Sequence, residues 1–390
     1  MIKFNHNNGR KIIRMIKILH CADFHIGAAD STLGSIAEKR RVEAVLSFEK
    51  VIDIAKENEI KLIAIAGDLF DSNSCDPSFV DTVLSKIAAV PEIKVVFAAG
   101  NHDPLDSLSP FTRRSLPENL FVLPETDSYF TFDDLKIRVY GRSFSSATLQ
   151  GEPVFSLLPP KDDYINLLVQ HGDLKSDLKS DYNAITPRFV KESGMDYIAL
   201  GHIHKRSDAL KLGNTYFAYC GCPEGQGFDE LDQKGVYIAE IGKGSCTLEF
   251  VPVSFRIHAH EKIDISNCFT PAEIAACVLS VLKEKYGEDY RKNIYKIVLT
   301  GAVAENAVIN LSEISARLVG EVFYAKVKDS TTLAVDFEEL SKEASLKGIF
   351  VKNMLSRIEK AQGEEKEFLL DAMNLGLRAF LLEVKFDEAE

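Results

Sequence analysis

The sequence has no apolar run approaching the roughly 20 residues that span a bilayer, and no hydrophobic segment with a cleavage site opens it. Membrane insertion and export are therefore not expected, and the chain reads as cytoplasmic. Organised cysteine is lacking as well. The seven cysteines are odd in number and irregular in spacing, with Cys220-Gly221-Cys222 as the only close pair. A zinc site normally needs more ligands at regular spacing, so these side chains read as small buried hydrophobes. Net positive charge is missing too, since 46 Lys and Arg face 58 Asp and Glu for a balance of −12. That opposes a broad basic surface for phosphate backbones, although bound divalent ions or a partner could supply positive charge locally.

What is present is an ordinary globular composition, 46% hydrophobic and 27% charged, over 390 residues. That length predicts two or three domains. Within it, one pattern occurs five times: a buried-strand run of apolar residues ends abruptly in polar ones. Residues 94–99 end in Gly100-Asn101-His102-Asp103. Residues 16–22 end in Asp23-Phe24-His25, and 62–66 end in Gly67-Asp68-Leu69-Phe70-Asp71. Residues 165–170 end in His171-Gly172-Asp173, and 197–200 end in Gly201-His202-Ile203-His204. Ligands of α/β sheets gather beyond the carboxyl ends of the strands, so these five tips can converge. Five of the nine histidines lie in them.

Along the chain, Lys3, Arg10, Lys11 and Arg14 with no acid suggest a flexible basic tail over residues 1–14, or an upstream start ahead of Met15. A helix is predicted from about 33 to 58 and another from 77 to 90, with Pro77 suiting a first turn. Short strands at 120–124, 129–132 and 137–140 suggest an antiparallel second sheet. The domain running over 15–254 closes with strands at 215–219, 235–241 and 247–253, as an α/β two-sheet sandwich flanked by helices. Beyond a boundary near Phe255, residues 255–335 read as a smaller α+β capping region. Residues 336–390 read as a C-terminal helical segment, with more apolar surface than it can bury alone.

Two divalent metals about 3.5–4 Å apart can clamp the attacking and leaving oxygens of an in-line phosphoryl displacement. Asp23, His25, Asp68, Asn101, His171, His202 and His204 offer the needed mixture of imidazole and oxygen ligands. That mixture suits manganese, iron or zinc better than magnesium or calcium. Residues two apart on an extended strand point the same way, so Asp23/His25 and His202/His204 could each face one side. The His102 imidazole could stabilise the pentavalent phosphorus or protonate the leaving oxygen. Asp103 could hold that imidazole in orientation.

D-x-H, G-D-x-x-D, G-N-H-D, an isolated H and G-H-x-H, in that order across residues 16–253, resemble the calcineurin-like metallophosphoesterase superfamily. The resemblance implies Asp23, His25, Asp68 and His204 around one metal. It implies Asp68, Asn101, His171 and His202 around a second, with Asp68 bridging and manganese the first choice. Gly67-Asp68-Leu69-Phe70-Asp71 followed by Pro77 looks like the SbcD-type repair nuclease branch. Asp329-Ser330-Thr331-Thr332 and the terminal helices are similar to its YhaO group. Ser72-Asn73 and Asp103 stand where the protein phosphatases of the superfamily carry arginine-glycine and glutamate. The branch implies DNA as substrate, an SMC-like ATPase as partner and, often, a homodimer.

Several residues have two readings. Asp71 and Asp173 could serve the site or merely cap a turn. His20 reads as a packed core residue, and His258 and His260 as solvent-facing. Arg113, Arg114, Lys205 and Arg206 could contact phosphates or form solvated pairs. The expected function is a metal-dependent phosphodiesterase, a DNA exo/endonuclease in which metal-activated hydroxide attacks phosphorus. The alternatives are a phosphodiesterase acting on a nucleotide or other small phosphodiester, and a scaffold subunit for an ATPase.

Overall fold

A computed structural model describes residues 14–28, 34, 36–149, 157–176 and 179–380. The expected basic tail, apart from Arg14, lies outside these residues, as does the acidic end at Asp387-Glu388-Ala389-Glu390. The chain divides into two compact units, Met1–Ile257 and His258–Glu390.

In the first unit β1 (Met15–Cys21), α1 (Ala37–Glu57), β2 (Leu62–Ile65), α2 (Pro77–Ala88) and β3 (Lys94–Phe97) alternate, followed by the short α3 (Pro110–Arg113) and β4 (Leu120–Val122). Then come β5 (Ser128–Phe132), β6 (Ile137–Gly141), β7 (Ile165–His171), α4 (Pro187–Glu192), β8 (Tyr197–Gly201), β9 (Leu210–Leu212), β10 (Thr215–Tyr219), β11 (Gly235–Gly242) and β12 (Ser245–Pro252). They form two six-stranded sheets, in the orders β12-β11-β1-β2-β3-β4 and β5-β6-β7-β8-β10-β9. In the first sheet β1 to β4 are parallel and β11 and β12 are added antiparallel at one edge; in the second the centre is parallel with an antiparallel strand at each edge.

The expected antiparallel second sheet is therefore corrected twice, since only its β5–β6 and β10–β9 pairs are antiparallel and one expected strand lies elsewhere. β4 does not join β5 and β6; it runs parallel beside β3 in the first sheet. A crossover through α3 returns the chain in the parallel direction, which short strands and turn residues alone do not reveal.

Both faces of each sheet are apolar because both are covered. Along β1, Ile18 faces the other sheet while Leu19 and Cys21 face the helices. The middle layer is built from Leu62, Ala64 and Val96 of the first sheet against Val139, Leu167 and Val169 of the second. Phe48, Val51, Val83 and Ile87 of α1 and α2 close the outer face of the first sheet. α2 starts on an Asp76 cap with Pro77 in its first turn. His20 is fully buried, bonded to the Tyr197 hydroxyl at 2.9 Å and the Leu200 carbonyl at 3.2 Å. Burial lowers its pKa to about 3, so it is a neutral core group.

The second unit holds β13 (His258–Asp264), α5 (Pro271–Tyr286), β14 (Ile294–Thr300), β15 (Ala302–Val303), α6 (Leu311–Leu318), β16 (Tyr324–Asp329) and β17 (Thr332–Leu333). α7 (Phe337–Leu340), α8 (Leu346–Ile358) and α9 (Glu364–Phe380) follow. β13, β14 and β16 make a parallel sheet packed against α5 and α6. Met354 and Ile358 of α8 meet Leu369, Met373 and Leu377 of α9 in a separate small core. His260 is exposed as read from the sequence, but His258 is not. As the first residue of β13 it is paired in register with Ile294 and is 2% exposed. No helix among the described residues is long and apolar enough to cross a membrane.

Candidate metal centre

All five polar tips meet at one end of the two-sheet layer. Asp23, His25, Asp68 and Asn101 come from the first sheet, and His171, His202 and His204 from the second. The side chains do not converge through strand alternation, however. β1 has ended at Cys21, and Asp23 (φ 55°), His25 (φ 47°), Asp68 (φ 50°) and His202 (φ 98°) all lie in the left-handed region. Non-glycine residues there cost about 1–3 kcal/mol each and are held by their surroundings. The holding bonds run between the first two tips. The Asp23, His25 and Ile26 N–H groups donate to the carbonyls of Gly67, Asp68 and Leu69, each at 3.0 Å. Gly100 is needed for proximity, since a Cβ there would stand 2.1 Å from Asp68 Oδ1.

Asp68 sits where the two halves of the site join. Its Oδ1 accepts the His102 N–H at 2.9 Å. Its Oδ2 lies 3.2 Å from His171 Nε2 and 3.6 Å from His25 Nε2. Asp23 accepts the His202 N–H on both oxygens, at 3.0 and 3.1 Å. Burial alone would raise the Asp68 carboxyl, but the neighbouring His171 outweighs it and holds it low. Burial raises that of Asp23.

The donor set fits cations. The His171 Nδ1–H donates to the Ala66 carbonyl at 2.8 Å, which turns Nε2 toward Asn101 Oδ1 (3.0 Å) and Asp68 Oδ2. Three acceptors then face one point. Burial would lower the pKa of the His171 imidazole, but the attraction of Asp68 overcomes it and raises it to about 9, so a proton is held at the place a metal ion would occupy. On the other side, His25 Nε2 and His204 Nε2 face each other at 3.1 Å. Their outer nitrogens are engaged, Nδ1 of His25 by Asp71 Oδ1 at 3.3 Å and Nδ1 of His204 by Glu230. Carboxylates behind imidazoles fix the tautomer that turns a lone pair inward. Asp23, His25 and His204 form one group able to hold an ion, and Asp23, Asp68 and His171 another.

These outer carboxylates include Asp71 and Asp173 and add a further residue. Asp71 is beside both His25 and His102, and the Oδ1 of Asp173 is 3.4 Å from His202 Nε2. Burial and the nearby His171 lower His202 to about 4. Burial would lower His204 as well, but the Glu230 bond prevails and holds it above its ordinary value. Glu230 carries no sequence signal, since it is one acid in the loop stretch Asp229-Glu230-Leu231-Asp232.

His102 stands at the edge with its ring 43% exposed. Its Nδ1 bonds the Asp71 carbonyl at 3.0 Å, which leaves Nε2 uncommitted. Asp103 does not orient this ring. Its buried carboxylate accepts the N–H groups of Asp68 (3.2 Å), Leu69 (2.7 Å), Phe70 (3.1 Å) and Gly100 (2.8 Å). The turn after β3 directs it inward and His102 outward, so adjacency in sequence misleads. Burial and the Asp68 charge push Asp103 up to about 7, yet four converging donors suit the carboxylate form. Asp103→Asn should therefore set amide hydrogens against backbone N–H groups and cost about 3 kcal/mol. Thermal unfolding should show a drop of roughly 6–12 °C, and an unchanged midpoint would contradict this role.

The expected phosphate contacts are less direct. Arg113 Nε bonds the Ser107 carbonyl at 2.6 Å, and Arg114 pairs with Asp81. Lys205 and Arg206 line a cavity of about 1060 Å³ beside His202 and His204. There the Arg206 guanidinium lies 4.0 Å over the Phe250 ring.

Residues 16–206 match the calcineurin-like phosphoesterase family. The chain carries a calcineurin-like phosphoesterase domain. It is a metal-dependent hydrolase. The chain is similar, at 23% identity over 381 residues, to the DNA double-strand break repair protein Mre11 of Methanopyrus kandleri, covering 91% of this chain and 74% of that one. The uncharacterized metallophosphoesterase YhaO of Bacillus subtilis is 24% identical over 304 residues, 74% of this chain and 73% of its own. The DNA double-strand break repair protein Mre11 of Saccharolobus solfataricus is 24% identical over 377 residues, 91% and 94%. Each of these three alignments covers more residues than the first unit contains and so extends into the second.

Proposed function

We propose that the chain is a phosphodiesterase that cleaves DNA with two divalent ions, manganese first among them, in company with an SMC-like ATPase. The observation that carries the ion sites is the convergence of ligand atoms: His171 Nε2, Asn101 Oδ1 and Asp68 Oδ2 at one point, His25 Nε2 and His204 Nε2 at the other. Asp23, His25, Asp68 and His204 would hold one ion, and Asp68, Asn101, His171 and His202 the second. Bound there, the ions would supply Lewis acidity and a nucleophilic water at neutral pH.

The chain's own residues do the rest. Asp68 takes the His102 N–H and so fixes the start of the exposed tip. The Asp71 carbonyl engages His102 Nδ1, which presents Nε2 to deliver a proton to the leaving oxygen. Asp71 and Glu230 keep the ring nitrogens of His25 and His204 directed inward. The names of the Mre11 relatives and the length of those alignments support DNA over a small phosphodiester. In this reading residues 15–254 carry the chemistry and 255–335 cap it. Residues 336–390 meet the ATPase, with Leu346, Ile349, Phe368 and Leu375 exposed on α8 and α9 in support. A homodimer belongs to the same reading.

The test is manganese-dependent cleavage of linear DNA beside an activated phosphodiester ester. DNA degradation that chelation abolishes and manganese restores is expected. Ester hydrolysis without any DNA cleavage, with the ATPase present, would transfer the assignment to small phosphodiesters.

A further inference from the structure

The segment that leaves the first unit, residues 253–256, is tied to His204 by two separate routes. On the first, the Phe255 N–H donates to Glu224 Oε1 at 2.6 Å. Glu224 also accepts from Ser47 Oγ at 2.8 Å and from Arg40 at 2.9 Å. Arg256 Nε donates to Glu43 at 2.8 Å, and Arg40 links Glu43, Glu224 and the Gly225 carbonyl. Glu224 opens the loop that ends at Glu230. Within it the Gln226 N–H donates to Glu230 Oε2 at 2.8 Å, and Glu230 Oε1 engages His204 Nδ1. On the second route, the Val253 and Ser254 N–H groups donate to the Lys234 carbonyl at 3.0 and 3.2 Å. The Lys234 ammonium donates in turn to the His204 carbonyl at 3.4 Å.

The chemistry of the first route is unusual for a simple anchor. Glu43 and Glu224 are only 7% and 5% exposed, and buried carboxylates are costly even when paired. Apolar contacts would hold a connecting segment at least as firmly. A hydrogen-bonded lattice of two arginines and two carboxylates adds directionality, since each bond demands one geometry. One route ends on the His204 imidazole and the other on its main chain, so the segment constrains both the residue and its ring.

We propose that residues 253–256 are a positioning element for His204, so that displacing this segment releases the imidazole and loosens one of the two ions only. The segment runs directly into the second unit at His258. Whatever moves that unit would therefore act on the His25–His204 pair before it acts on Asp68 and His171. Glu224, Arg40, Glu43 and Arg256 are positioning residues in this scheme, and none is an ion ligand. The inference rests on the reading of His204 as a ligand.

The experiment is Mn²⁺ titration of the full chain by calorimetry and electron paramagnetic resonance, for the wild type, Glu224→Gln and Lys234→Met. The wild type should bind two ions and show a spin-coupled spectrum. Each variant should bind one ion as the wild type does and the other about tenfold more weakly. At intermediate Mn²⁺ its spectrum should be that of an isolated ion. Lys234→Met interrupts the second route with a side chain outside the buried lattice, so it decides the matter if Glu224→Gln does not fold. Both ions bound at wild-type affinity by a folded variant would overturn the proposal and leave the hydrolase reading standing. Equal weakening of both ions would also overturn it, because general loosening would then suffice. A wild type that takes up no Mn²⁺ would overturn the ligand reading of His204 and the proposal together.

Discussion

Asp68→Ala should remove metal-dependent hydrolysis, lowering turnover by about 10³- to 10⁴-fold. The estimate follows from the several kcal/mol of transition-state stabilisation that bound metal contributes, at about 1.4 kcal/mol per decade. Oδ2 of Asp68 stands 3.2 Å from His171 Nε2 and 3.6 Å from His25 Nε2, between the two ion positions, and Asp23 is the carboxylate shared by both groups able to hold an ion. Loss of Asp68 also strands the His102 N–H, so the exposed tip should lose its anchor. The measurement is ion stoichiometry beside turnover, with the thermal midpoint of the metal-free protein as the control for folding. An alanine variant that still binds two ions and turns over at the wild-type rate would remove Asp68 from its central position.

His102→Ala should leave both ions bound and yet slow DNA cleavage by about 10²- to 10⁴-fold, the usual worth of a positioned acid or base. The separation follows from geometry. His102 Nδ1 is spent on a backbone carbonyl while Nε2 remains free at a half-exposed ring. If Nε2 protonates the leaving oxygen, the effect depends on what leaves. A nucleotide alkoxide needs that proton, whereas nitrophenolate departs without it. The variant should therefore be crippled on DNA and nearly normal on a nitrophenyl phosphodiester. Equal losses on both substrates would point instead to stabilisation of the phosphorus centre, the other role open to this imidazole.

The tips of the site were legible because chemistry interrupts a strong pattern. A run such as Val95-Val96-Phe97-Ala98-Ala99 is explicable only as a buried strand, so Asn101 and His102 immediately after it stand out. The same contrast exposed Asp23, Asp68, His171 and His202 in advance. Backbone conformation was not legible. Four ligand candidates adopt positive φ, and the modest preference of Asp and His for that region does not say which of them adopt it. Nor were the outer carboxylates legible as such. Asp71 and Asp173 were visible but ambiguous, and Glu230 was an ordinary loop acid. Asp103 shows the limit most clearly, because its neighbour in sequence is not its neighbour in space. Strand existence was readable from composition, whereas the partner of β4 depended on a crossover that composition does not encode.

The seven ligand candidates are divided four and three between two sheets that elsewhere touch through apolar side chains and the buried His20–Tyr197 pair. Ile18, Val96, Leu167 and Val169 grip one another along the middle layer, while at its rim carboxylates and imidazoles are crowded together. In mechanical terms the molecule is a clamp, glued along its length and sprung at the mouth. Cations seated there would act as rivets across the seam. The same few residues that do the chemistry would then set how much force the two halves withstand before they part.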